Sequence, residues 1–166
     1  MEIQTFNHKE AIEIAKSIEE RGYRLYTEWA RKLKDGFAKN TLEFLAEQEK
    51  LHIKAFEDLY KKIIEEDSHL GELDEEAEKY LKALAQTFVF PEDPKEFVER
   101  QDKFEDILAF AIQAEKDSII FYTELAILSG NEEAVKLFRG LAAEEKKHLL
   151  KLKELSDLVE ERGIYY

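Results

Sequence analysis

Leu45-Ala46-Glu47-Gln48-Glu49, followed three residues on by His52, reads by itself as ordinary helix. Its meaning comes from a second stretch, Leu141-Ala142-Ala143-Glu144-Glu145, followed three residues on by His148. The two are related by an offset of 145 − 49 = 96 residues. Applied without a gap, that offset lays Ala15-Lys16-Ser17-Ile18-Glu19 over Ala111-Ile112-Gln113-Ala114-Glu115, and Tyr26-Thr27-Glu28 over Tyr122-Thr123-Glu124. The chain therefore repeats one helix–turn–helix unit, and the first question is what the two copies build together.

Apolar residues recur at helical spacing and predict an all-α chain. Helix A is expected from about His8 to Lys34, ended by the Asp35-Gly36 turn, and helix B from about Lys39 to Asp67, ahead of Gly71. Helix C is expected from about Phe97 to Leu128, stopped by Ser129-Gly130, and helix D from an Asn131 N-cap to about Arg162. The hairpins then span about 8–67 and 97–163. The crossover of about 68–96 holds a short extra helix over Leu73 to Phe88 and a break at Pro91-Glu92-Asp93-Pro94. Two tight hairpins joined by a long crossover make a four-helix bundle in one domain covering 1–166.

The stripes that should face the core are interrupted by charge. Helix A reads Ile12, Ala15, Glu19, Gly22, Tyr26, Trp29, Leu33, and helix B reads Leu42, Leu45, Glu49, His52, Phe56, Leu59, Ile63. Helix C reads Leu108, Ala111, Glu115, Ser118, Tyr122, Leu125, and helix D reads Phe138, Leu141, Glu145, His148, Leu152, Leu155, Val159. Buried carboxylates are costly alone and repel one another in company unless protons or cations intervene. Position 34 lies midway between Glu19 and Glu49, at the first turn, and Gly130 lies midway between Glu115 and Glu145, at the second. Antiparallel folding at those turns sets each pair side by side, roughly 20–25 Å from its turn at about 1.5 Å per residue.

Glu-x-x-His also occurs as Glu66/His69. The offset carries that pair to Arg162 and Tyr165, so neither donor recurs, and it reads as surface. The other two motifs recur together, on core stripes, level with Glu19 and Glu115. Glu and His three apart share a helix face and can address one ion. Six such donors, Glu19, Glu49, His52, Glu115, Glu145 and His148, suit two iron ions, with manganese or zinc also compatible.

Composition narrows the classes. With no cysteine there is no thiolate, iron–sulfur or rubredoxin-type centre, so any redox cofactor must be held by nitrogen and oxygen. A net charge of −13 argues against nucleic acid as a partner. No apolar run approaches the roughly 18 residues of a membrane span, and Met1 to Lys9 is too polar for a signal peptide, so a cytoplasmic protein away from membranes is expected.

A lone Glu on helices A and C with Glu-x-x-His on B and D resembles the rubrerythrin branch of the ferritin-like di-iron carboxylate superfamily, over nearly the whole chain. The resemblance implies a ferritin-like bundle in which Glu49 and Glu145 bridge two irons. It makes Glu19 and Glu115 terminal ligands and gives His52 and His148 one metal each. It also implies that Tyr26 and Tyr122 hydrogen-bond ligand carboxylates, and that Gln48 and Glu144 orient the opposite histidines. Typical members carry a further carboxylate where Ser118 stands here; the matching helix A position is Gly22. The rubredoxin-like domain is missing, so turnover needs an external electron donor such as a rubredoxin.

The function implied is a di-iron oxidoreductase that reduces hydrogen peroxide, or oxidises ferrous iron with peroxide or dioxygen, in defence against oxidative stress. Alternatives are iron storage without turnover, an oxygenase acting on an organic substrate, and a metal-free helical scaffold; an enlarged pocket beside the metals would favour the oxygenase. The resemblance also implies a homodimer, and the long connection around Phe88 to Pro94 would permit exchange of hairpins between subunits.

Overall fold

The computed structural model describes residues 8–34, 36–66, 73–87, 91 and 93–162. Asp35, Asp67, His69, Gly71, Phe88, Glu92 and Tyr165, to which expectations above attach, lie outside them. Six helices are described: α1 (His8–Lys32), α2 (Phe37–Glu65), α3 (Glu75–Gln86), α4 (Pro94–Arg100), α5 (Phe104–Leu128) and α6 (Glu132–Arg162). Among the described residues there is no strand, and no helix is long and apolar enough to cross a membrane.

The repeated hairpins are α1/α2 and α5/α6. Lys16 on early α1 pairs with Glu57 on late α2 at 2.9 Å, as antiparallel helices require. Lys62 on late α2 pairs with Glu133 on early α6 at 2.6 Å, so α2 and α6 are antiparallel too. Every residue of the four predicted stripes is buried, including the charged ones. The largest side chains of this core are Trp29, Tyr26, Tyr122, Phe56, Phe104, Phe121 and Phe138.

The two turns close by different chemistry. Gly36 precedes α2 at φ 112° and ψ −167°, a region open essentially to glycine alone, and no side chain caps that helix. At the other turn Asn131 Oδ1 accepts from the Glu133 and Ala134 amides at 3.0 and 3.1 Å, the N-cap expected of it. In the crossover, Asp74 caps α3 and Asp93 caps α4, whose first residue is Pro94.

One expected helix is two. The helix expected from Phe97 to Leu128 breaks at residues 101–103, where Gln101 and Lys103 are extended, so hairpin 2 begins at Phe104 and the crossover carries α4 as well as α3. The reason is packing. Val98 and Phe104 are both buried, yet six residues apart they would lie about 120° from each other around one continuous helix. The break lets both serve the core, Phe104 meeting Trp29 with ring centres 4.7 Å apart. The carbonyls exposed at the break do not go unmet. Lys32 Nζ donates to Val98 O at 2.6 Å and to Gln101 O at 3.1 Å, tying α4 to α1. Helices A and B also end slightly off expectation, α1 at Lys32 and α2 starting at Phe37.

Candidate metal centre

Each helix of the bundle brings its interrupting carboxylate to one level. Glu19 from α1, Glu49 and His52 from α2, Glu115 from α5, and Glu145 and His148 from α6 all lie within the core, none more than 5% exposed. They form two overlapping sets. Glu19, Glu49, His52 and Glu145 each offer one donor atom within 4.8 Å of the others, and so do Glu49, Glu115, Glu145 and His148. Glu49 and Glu145 belong to both sets; Glu19 and Glu115 belong to one each.

The individual oxygens divide the same way. His52 Nδ1 lies 2.9 Å from Glu145 Oε1, 3.1 Å from Glu19 Oε2 and 3.7 Å from Glu49 Oε2. His148 Nδ1 lies 2.8 Å from Glu145 Oε2, 3.1 Å from Glu49 Oε1 and 3.8 Å from Glu115 Oε2. Glu49 and Glu145 thus turn one oxygen to each half, the disposition a bridging carboxylate needs. The imidazole rings lie 5.3 Å apart and nearly parallel, at 15°.

These separations are short, but most are not good hydrogen bonds. Both oxygens of Glu145 and both nitrogens of His148 are fully buried and have no aligned hydrogen-bond partner. Donor atoms that crowd together without aiming at one another aim at shared points between them. Buried polar atoms are rarely left so, and two cations at those points would satisfy them. Carboxylate and imidazole donors without thiolate fit iron, manganese or zinc.

Without metal, protons must balance the charge. Burial, then the charges of neighbouring carboxylates, hold Glu19 and Glu115 well above the usual carboxylate range. Burial also opposes ionisation of Glu49 and Glu145. For Glu49 it is outweighed by the adjacent Glu19 carboxyl and both imidazoles, and for Glu145 by both imidazoles and the Glu115 carboxyl, so these two stay below the usual range. Burial disfavours the imidazolium of His52, but the facing carboxyl groups of Glu145, Glu19 and Glu49 outweigh it and push the group up to about 12. His148 is raised likewise by Glu115, Glu145 and Glu49.

Tyr26 and Tyr122 cross between hairpins. Tyr26 of α1 donates to Glu115 Oε1 of α5, and Tyr122 of α5 donates to Glu19 Oε1 of α1. Both hydroxyls are buried, and burial followed by the facing carboxylate raises them well above the ordinary phenol range. The crossing follows from helix geometry. Side chains lean toward the N-terminus of their own helix, so on antiparallel helices Tyr26 and Glu115 lean toward each other while Tyr26 and Glu19 do not meet. The Glu-to-Tyr spacing of seven residues, combined with antiparallel α1 and α5, is the signal from which this pairing follows; the sequence reading places the tyrosines at carboxylates without assigning partners.

Other expectations fare differently. Glu144 does not orient a histidine; it pairs at 2.7 Å with Lys147 on the surface, because the residue beside a core position on a helix is rotated about 100° away from it. Gln48 is half-buried. Ser118 is buried beside the cluster, but its hydroxyl donates to Ala114 O at 3.1 Å on its own helix. Glu66 is the exposed C-cap of α2, away from the cluster.

Comparison with known proteins agrees with this geometry. A family model described as Rubrerythrin matches residues 10–156. A structure from Thermotoga maritima, described as that of a candidate ferritin-like diiron-carboxylate protein, is 32% identical; the match covers 91% of this chain and 95% of that one, at a TM-score of 0.70. A hypothetical protein from Pyrococcus furiosus, 24% identical over 99% of this chain and 97% of its own, shares the fold at a TM-score of 0.70. No curated protein matches the chain.

Proposed function

The chain belongs to the rubrerythrin family, and on that premise we propose that it is a di-iron oxidoreductase that reduces hydrogen peroxide to water with electrons from an external donor. The observation that carries the reading is the division of donors: two sets that share Glu49 and Glu145 and split Glu19 with His52 from Glu115 with His148. Glu49 and Glu145 would bridge, Glu19 and Glu115 would close the two ends, and His52 and His148 would each take one ion through Nδ1.

Held by these six donors, two iron ions would supply the two electrons and the Lewis acidity that peroxide reduction needs. The residues do the rest. Six donors on four helices of one packed core set the ion separation and keep it. Tyr26 and Tyr122 hold Glu115 and Glu19 by their outer oxygens, fixing which oxygen faces inward. Their raised hydroxyls keep their protons at neutral pH and hold them against the carboxylates that border the site. Burial of all six donors keeps bulk water away from the reacting oxygens.

The test begins with metal content. Anaerobic ferrous loading should give about two irons per chain, and the reduced protein should consume peroxide one for one, in keeping with a two-metal site. Absence of stoichiometric metal would sink the proposal. Iron taken up far beyond two per chain without peroxide consumption would instead establish storage.

A further inference from the structure

Four large apolar side chains, Phe37, Phe44 and Leu51 of α2 and Leu150 of α6, are between 44% and 65% exposed. The first three follow one another at seven-residue intervals, about two helical turns, and so lie on one side of α2. That side borders α6. Lys62 stands five turns beyond Phe44, on the same line of the helix, and both reach α6. Lys62 pairs with Glu133, and Lys151 Nζ lies 4.8 Å from the centre of the Phe44 ring. At the 96-residue offset the stripe has no copy, for Phe37, Phe44 and Leu51 correspond to Glu133, Gly140 and Lys147. The α2 half of this face is therefore apolar, with exposed Glu43 and Glu47 beside the stripe. The α6 half is small and basic, with Arg139, Gly140, Ala143, Lys146 and Leu150 all exposed.

We propose that the α2/α6 face docks a second copy of this chain, about a two-fold axis that lays α2 of each protomer along α6 of the other. The two halves of the face are unlike, and a two-fold axis through its middle sets each half on the other. The register follows from contacts already made across the seam. Phe44 faces Lys151 and Lys62 faces Glu133, with 44 + 151 = 62 + 133 = 195, so Gln48 is level with Lys147. A two-fold axis at that level places residue n of α2 over residue n + 99 of the partner's α6. Phe44 then falls on the partner's Ala143, one turn from the partner's Gly140. Gly140 leaves room for a large ring, since an added Cβ there meets nothing within 4 Å. Leu51 falls on the partner's Leu150, apolar on apolar.

Charge fits the same register. Glu43 and Glu47 fall beside the partner's Arg139 and the partner's Lys146. Within the chain Glu43 and Glu47 pair only at 3.9 Å, with Lys39 and Lys50, and Arg139 and Lys146 make no ion pair among the described residues. Lys54 and the partner's Lys153 also approach, but each is already matched on its own helix, Lys54 by Asp58 at 3.5 Å and Lys153 by Asp157. Every contact occurs twice, as a two-fold axis requires. Two helices, each about 10 Å wide and in contact over about 30 Å, present roughly 600 Å². That is comparable with the ~800 Å² each partner gives to a stable interface.

The test reads the mass of the full chain in solution and then the register of the contact. Sedimentation at micromolar concentration should give twice the 19.5 kDa chain. Phe44→Asp/Leu51→Asp should give monomer with unchanged helical circular dichroism. Ile120→Asp/Ile127→Asp, at exposed apolar positions of α5, should stay dimeric. Glu43→Lys/Glu47→Lys should weaken the dimer about tenfold or more, and adding Arg139→Glu/Lys146→Glu should restore it, a rescue that damage to the fold does not imitate. The chain has no cysteine, so Leu51→Cys/Leu150→Cys reports the register. Within one chain these positions are about 9 Å apart along the helix axes alone, beyond disulfide reach, so oxidation should join two chains. A monomer at that concentration, a dimer indifferent to Phe44→Asp/Leu51→Asp, or no cross-link through Leu51→Cys/Leu150→Cys overturns the inference. Cross-linking by Leu51→Cys alone would also overturn it, because the axis would then lie at α2 and not between α2 and α6.

Discussion

Hairpin α1/α2 and hairpin α5/α6 carry the same donors, the same stripe and the same tyrosine at one constant offset, yet they differ almost everywhere else. The first closes through the special backbone of Gly36, with no side-chain cap on α2; the second closes through the Asn131 side chain. The outer side of α1 is covered by α4, which Lys32 ties down, whereas α5 leaves Ile120 and Ile127 exposed. His52 keeps a sliver of exposure that His148 lacks. The difference teaches where a repeat has to be strict. Residues that must meet across the bundle axis match, because each answers to its counterpart in the other hairpin. A turn only has to reverse the chain, and more than one chemistry does that.

The comparison breaks most sharply at the shared donors. Glu49→Ala/Glu145→Ala should abolish stoichiometric metal in both halves, from about two ions to none by elemental analysis, since both sets lose two of their four donors. Glu19→Ala should instead spare one ion, held by the Glu115/His148 set; loss of both ions in that variant would show that the halves do not bind independently.

Protonation gives the next largest effect. Metal must compete with protons at Glu19, Glu115, His52 and His148, all held above their usual ranges, so apparent affinity should rise with pH and binding should release protons into weakly buffered solution. A pH-independent affinity between 6 and 8 would contradict the raised proton affinity of these donors.

Tyr26→Phe and Tyr122→Phe sharpen the crossing. Each should lower metal affinity about 10–100-fold, the usual cost of losing a partner that orients a ligand. Tyr26→Phe should act on the Glu115 half and Tyr122→Phe on the Glu19 half, read by site-resolved spectroscopy of the loaded protein. An effect of Tyr26→Phe confined to the Glu19 half would refute the assignment.

The smallest effects separate the turns. Gly36→Ala should cost about 1–3 kcal/mol in denaturant titration, from backbone strain alone, since an added Cβ meets nothing within 4 Å. Asn131→Ala should cost about 1 kcal/mol through the lost cap. Gly130→Ala, at an exposed position of the second turn, should stay within about 0.5 kcal/mol.

Most of the architecture was legible because helical period and turn residues are local. The stripes with their embedded Glu and His, the Asn131 cap and the placement of Glu66 outside the cluster all follow from spacing along one helix or from one fixed offset. The helix break at residues 101–103 was not legible. The polar run Gln101-Asp102-Lys103 is compatible with helix, and only the competition of Val98 and Phe104 for the same buried side rules it out. Glu144 misled for a related reason: adjacency to Glu145 in sequence turns it away from the core in space.

By itself, then, the sequence determined the helices, the hairpins and the identity and common level of Glu19, Glu49, His52, Glu115, Glu145 and His148, since a period of 3.6 residues and folding at two turns reduce these to counting. Only the tertiary structure decided that each tyrosine serves the opposite hairpin and that Glu49 and Glu145 turn one oxygen to each half. It also decided that Lys32 secures α4. Those facts depend on how helices distant in sequence lean and rotate against one another, and spacing along a single chain does not specify that.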